Sequence, residues 1–147
     1  MKKITFLLDK DNNWIEQYVL NFIDLNDKLS YSPEISYLHE DCIDNDIVFI
    51  LGYTKILNKK FFRNNRLSLV VHESDLPFGK GFSPIQWQIL ENKKNIVFTL
   101  FEANEKIDSG DILFQKNVIF SGFELFDEIR GIQGKKTMEM IAQFLSI

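Results

Sequence analysis

The apolar positions of this chain follow two periods. The runs ITFLL (residues 4–8), IVFIL (47–51) and LSLVV (67–71) are short, contain branched or aromatic residues, and end at polar residues or glycine. That pattern predicts strands buried on both faces. Residues 33–38 form a weaker strand candidate. Apolar residues at 14, 15, 18, 19, 22, 23 and 25 have helical spacing, and Asn12 or Asn13 can serve as N-cap. A short helix is expected over 57–63. Ser83 can cap another over 84–91, with Pro84 at the first position, where a missing N–H costs nothing. Strands over 96–101 and 111–120 flank the polar connection EANEKIDSG. Ser121 and Glu124 have capping-box spacing, opening a helical C-terminus expected to break near Gly131 and Gly134.

Strands alternating with helices imply an α/β fold, a mostly parallel central sheet flanked by helices, in one domain over 1–147. In such sheets ligands sit beyond the carboxyl ends of the strands. Gly52-Tyr53-Thr54, the segment from His72 onward and the loop 102–110 fall there.

Composition narrows the partners. A net charge of −4 and a pI near 5.2 do not favour nucleic acid. The single cysteine, Cys42, excludes an internal disulfide framework and a cysteine-rich metal site; as a free buried thiol it fits a reducing compartment. The N-terminus has too short an apolar run for a signal peptide, and no stretch approaches the ~20 apolar residues of a membrane span. A cytoplasmic protein is expected. The 14 phenylalanines suggest a core or a ligand cleft rich in aromatics. The aromatic C-terminal stretch suits a homodimer interface or intrachain core equally.

There are two histidines. His39, in the exposed-looking LHED, carries little sign of a role. His72 ends a buried strand and opens a polar segment, so it reads either as a core histidine satisfied by the backbone or as a general base. Asp108 and Asp111 bracket Ser109-Gly110, where Asp, Ser and Gly also suit an ordinary β-turn.

Taken in order, ILGYTKIL, HESDLPFGKGFSPIQWQIL and FTLFEANEKIDSGDILFQ resemble the folate-dependent formyltransferase family. The resemblance runs from Phe49 to Gln115 and implies a Rossmann-like formyltransferase fold. It also implies 10-formyltetrahydrofolate as formyl donor. By the same resemblance His72 matches the family histidine beside the transferred formyl group, and Asp108 matches the aspartate that orients it and helps carry protons. The pterin is expected against Leu51, Gly52, Tyr53, Ile56 and Leu57 and against the loop with Asn104, Lys106 and Ile107. Ile56 and Leu57 also read simply as core.

One position departs from the family. Its asparagine two residues before the histidine, an oxyanion donor, is Val70 here. Ser68 points the same way but lies too far along a strand that rises about 3.3 Å per residue. Asn104 is a more reachable substitute.

The motif around HESDLPFGKGFSP is most similar to the sugar N-formyltransferases of surface-polysaccharide pathways, including the pseudaminic acid-type branch. A nucleotide-linked amino sugar is the acceptor this implies. Lys80, Gly81 and Ser83 would approach its phosphates or hydroxyls, and Trp87 would line the sugar cleft unless it belongs to the core. Loss of the asparagine leaves two other readings: a non-catalytic folate-binding module, and a hydrolase releasing formate from the same donor.

Overall fold

The computed structural model describes residues 1–27 and 30–147. Six strands form one sheet: β1 (Lys2–Leu8), β2 (Tyr31–Ser36), β3 (Ile47–Leu51), β4 (Ser68–His72), β5 (Asn95–Glu102) and β6 (Ile112–Ile119), in the order β2-β1-β3-β4-β5-β6. The helices are α1 (Glu16–Leu25), α2 (Lys59–Asn64), α3 (Pro84–Leu90) and α4 (Phe126–Leu145). The α/β architecture with a mostly parallel sheet is the one expected from the alternating pattern. The chain divides into two units, Met1–Val70 and Val71–Ile147.

In the first unit β1 runs parallel to both β2 and β3, with Ile4 opposite Pro33 on one side and Ile47 on the other. Every residue of β3 is buried, which is why its sequence is continuously apolar rather than alternating. Phe6 stacks on Phe49 at 5.4 Å and meets Phe22 of α1 edge-on at 6.1 Å, so three phenylalanines tie helix to sheet. The α1 N-cap is Ile15 rather than Asn12 or Asn13; the Asn13 carbonyl instead accepts the Glu16 N–H at 3.0 Å. Helix α2 is capped by Asn58, whose Oδ1 accepts the Phe61 N–H at 3.0 Å.

In the second unit β5 and β6 are antiparallel, with a register shift between Leu100 and Phe101. Ser83 precedes α3 in the left-handed region (φ 54°) and its side chain makes no cap, contrary to the expectation, whereas Pro84 does occupy the first turn. Glu124 does reach back, accepting the Ser121 and Gly122 N–H groups at 2.6 and 3.0 Å. That closes a turn ahead of the helix rather than its first turn; α4 begins at Phe126, with Glu128 accepting the Leu125 N–H at 3.0 Å. Nor does α4 break at its glycines. It runs unbroken for 20 residues, and Gly134 is buried on its packed face beside Gln133, Thr137 and Met138. Burial of Gly134 within the helix accompanies continuation through it despite the roughly 1 kcal/mol penalty glycine carries there.

Candidate active site

His72 is the last residue of β4, and the segment after it doubles back on the ring. Its Nε2 lies 2.8 Å from the Gly79 carbonyl. A carbonyl only accepts, so Nε2 carries the proton and donates, leaving Nδ1 as the basic nitrogen of the neutral ring. Among the described residues no side chain bonds Nδ1.

The turn that presents Gly79 is wired internally. Ser74 Oγ donates to the Phe78 carbonyl at 2.7 Å, and buried Thr99 of β5 donates to the Ser74 carbonyl at 2.7 Å. Gln115 of β6 donates to Thr99 Oγ1 and to Asp75 Oδ1, at 2.9 and 3.1 Å. Gly79 takes φ +71°, and a Cβ there would stand 2.8 Å from Ser74 Cβ, so the turn needs glycine on both counts. The Leu76–Pro77 bond within it is cis.

Asp108 enters from the β5–β6 loop. Its Oδ2 accepts the Gly81 N–H at 2.8 Å and lies 3.6 Å from His72 Nε2, with the two side chains only 8% and 13% exposed. That separation is too long for a hydrogen bond, so the carboxylate stands beside the ring without bonding it. The turn-forming role of this loop is also real: Asp108 adopts φ 49°. Turn geometry aims the carboxylate at the Gly81 N–H.

Asn104 uses Oδ1 within the same loop, accepting from Lys106 N at 2.8 Å and Ser109 Oγ at 3.3 Å. Among the described residues its amide NH₂ makes no hydrogen bond and stands as a donor. Lys106 and Ile107 are exposed. Lys80 is exposed, and Gly81, at φ +109°, spends its N–H on Asp108. Trp87 is 64% exposed on α3, so the core reading does not hold for it.

The other predicted pterin residues lie in the first unit. Leu51 closes β3 and is buried, Gly52 turns with φ +65°, and Leu57 is half-buried. Ile56 is 90% exposed and so is not core. The Tyr53 hydroxyl lies 2.7 Å from His39 Nδ1. His39 is therefore no exposed loop residue: its side chain is 16% exposed and packs on Tyr53 and Phe61. Beyond the ends of β1, β2 and β3 in this unit lies a cavity of about 390 Å³, with Asp9, Tyr37, Asp41, Tyr53 and Lys55 on its walls. Asp9 is held below the usual carboxylate range, chiefly by the Thr54 hydroxyl. Cys42 is buried, and burial pushes its thiol up.

Residues 7–122 match the formyl transferase family model. The chain belongs to the formyl transferase family. A methionyl-tRNA formyltransferase of Thermotoga maritima is 33% identical over 102 residues, covering 68% of this chain and 32% of that protein. The chain thus spans about a third of the length of such relatives. The solved methionyl-tRNA formyltransferase of Clostridium thermocellum superposes with a TM-score of 0.84 at 23% identity, covering 99% of this chain and 65% of that one. The formyltransferase PseJ of Anoxybacillus kamchatkensis, solved with UDP-4,6-dideoxy-4-formamido-L-AltNAc and tetrahydrofolate, gives 0.62 at 19% identity, covering 95% and 72%. These superpositions establish the fold.

Several members of this candidate site had no direct signal in the sequence: the Gly79 carbonyl, Ser74, Thr99 and Gln115. Ser74 and Thr99 act on main-chain carbonyls and Gln115 on the Thr99 and Asp75 side chains, so no motif of reactive groups announces them. The glycines of FGKG were the one available signal, because a glycine pair in a polar segment marks a tight turn.

Proposed function

We propose that this chain transfers a formyl group from 10-formyltetrahydrofolate to the amine of a nucleotide-linked amino sugar. The observation that carries the reading is the buried His72–Asp108 pair within the formyl transferase motif. PseJ, solved with a UDP-linked formamido sugar and tetrahydrofolate, supplies the ligand chemistry carried over to this chain.

The acceptor amine attacks the formyl carbon, forming the new C–N bond while the oxygen gains negative charge. His72 Nδ1 takes the amine proton, and Asp108 stabilises the imidazolium so formed. The proton then passes to the folate nitrogen as its bond to the formyl carbon breaks. Val70 donates nothing to the oxyanion, and we assign that role to the Asn104 amide. We assign the donor contacts of the second unit to the loop that carries Asn104, Lys106 and Ile107. Exposed Lys80, the Gly81 and Ser83 turn and Trp87 receive the sugar nucleotide.

A second reading is favoured by the methionyl-tRNA formyltransferase relatives: the acceptor is the amine of an aminoacylated tRNA. The net charge of −4 gives no attraction to a polyanion, which places it second. Incubation with 10-formyltetrahydrofolate and a panel of uridine-, thymidine- and cytidine-linked amino sugars plus methionyl-tRNA separates the two by the product that gains one CO. Formate without formylated acceptor would identify a hydrolase. Folate binding without turnover would identify a binding module.

A further inference from the structure

His72 is followed by a second acid that the reaction does not use. Glu73 carries its carboxyl inward, where burial pushes it up and the Gln133 hydrogen bond and the charges of His72 and Arg130 draw it back. Gln133, buried on α4, donates Nε2–H to Glu73 Oε1. The same amide accepts from Arg130 Nη1 at 2.9 Å. Because a guanidinium can only donate, Arg130 fixes which way the amide faces: oxygen to Arg130, nitrogen to Glu73. From the other side, Gln88 of α3 donates to the main-chain carbonyl of Glu73 at 2.6 Å and to that of Pro84 at 3.0 Å. Residue 73 is thereby gripped from two helices, by its side chain and by its backbone.

A part-buried acid is a costly way to join a strand to a helix, since well-packed apolar residues do so as well or better. What the polar arrangement adds is direction. We propose that Glu73, held by Gln133 and Arg130, is a positioning residue for His72: it fixes the chain immediately after the imidazole and keeps the ring seated between Gly79 and Asp108. This rests on reading His72 as the base. The charged groups around the ring are then Asp108 from the β5–β6 loop, Glu73 itself and, behind it, Arg130 of α4.

The test compares Glu73→Ala, Glu73→Gln and Gln133→Leu in the full chain, with kcat and the KM for 10-formyltetrahydrofolate as one readout. The other is the imidazole N–H spectrum, to which only two histidines contribute. Glu73→Ala and Gln133→Leu are expected to lower kcat about tenfold or more with donor KM within about twofold, and to lose the His72 Nε2–H signal protected by Gly79. Glu73→Gln keeps an oxygen that accepts the same N–H and is expected to stay within about threefold of wild type. Folded Glu73→Ala and Gln133→Leu proteins with wild-type kcat and an unchanged ring signal would overturn the proposal. So would Glu73→Gln as impaired as Glu73→Ala. If Glu73→Ala does not fold, Gln133→Leu, which leaves the acid in place, decides. Undiminished transfer by His72→Ala would instead defeat the reading of the site, and the ring signal would still decide the role of Glu73.

Discussion

Asp108 Oδ2 lies 3.6 Å from His72 Nε2 while accepting the Gly81 N–H at 2.8 Å. One carboxylate therefore serves the ring electrostatically and clamps the turn that follows β4. The His72 Nε2–H bond to Gly79 belongs to that same turn, so ring orientation and loop closure are coupled.

The two duties of Asp108 separate by substitution. Asp108→Asn keeps an oxygen for the Gly81 N–H but removes the charge, and transfer should fall about 10²-fold with the fold intact. Asp108→Ala also releases the turn and should fall further, with a lower melting temperature. Equal effects of the two would show that the charge contributes nothing beyond the clamp.

Val70 and Asn104 make a linked prediction. If the Asn104 amide meets the oxyanion, Asn104→Ala should cost about 10²-fold in kcat, as removal of one such donor does. Val70 shares a strand face with His72, so Val70→Asn should restore the donor and rescue the Asn104→Ala protein. Asn104→Ala without effect on kcat would remove Asn104 from the reaction.

How far these features are legible in the sequence depends on what each residue's signal is. The strands were readable because IVFIL and LSLVV are apolar on both faces, and burial of β3 throughout is the cause of that pattern. The continuity of α4 was not, because glycine marks a helix end and also occurs inside buried helices, as Gly134 does. Ser83 failed as a cap because its backbone is left-handed, a state that residue type does not reveal. His72 and Asp108 stood out through the motif, but which ring nitrogen is basic came only from the Gly79 carbonyl. Glu73 carries no signal of its own in the sequence, because its side-chain partner Gln133 comes from α4, far along the chain.

Gly110 has a steric reason to be glycine. A Cβ there would lie 1.4 Å from the Glu102 carbonyl oxygen, so the loop carrying Asp108 could not close against β5. Gly110→Ala should cost about 2 kcal/mol or more, lowering the melting temperature by about 4 °C or more, and should also reduce transfer. Unchanged melting and activity would mean the loop closes another way.

The Ser121–Glu124 turn gives a pH-dependent marker. Main-chain N–H donation from Ser121, the largest cause, and from Gly122 holds the Glu124 carboxyl down from its ordinary 4.5 to about 2. A depressed carboxyl stabilises the fold above 4.5, and that contribution is lost as pH falls through about 2. The Ser121 and Gly122 amide resonances should titrate with a midpoint near 2 rather than 4.5. A midpoint at the ordinary value would mean the turn is open in solution.

Trp87 tests where the acceptor lies. It is 64% exposed on α3, so Trp87→Ala should change stability by no more than about 0.5 kcal/mol. An indole that covers part of a bound sugar nucleotide removes apolar surface from water, at about 25 cal/mol per Å². Losing such a contact should raise the acceptor KM about tenfold while leaving kcat and the donor KM nearly unchanged. A large loss of stability would instead make the residue structural. An unchanged acceptor KM would move the sugar away from α3, and the search for its site would turn to the cavity walled by Asp9, Tyr53 and Lys55.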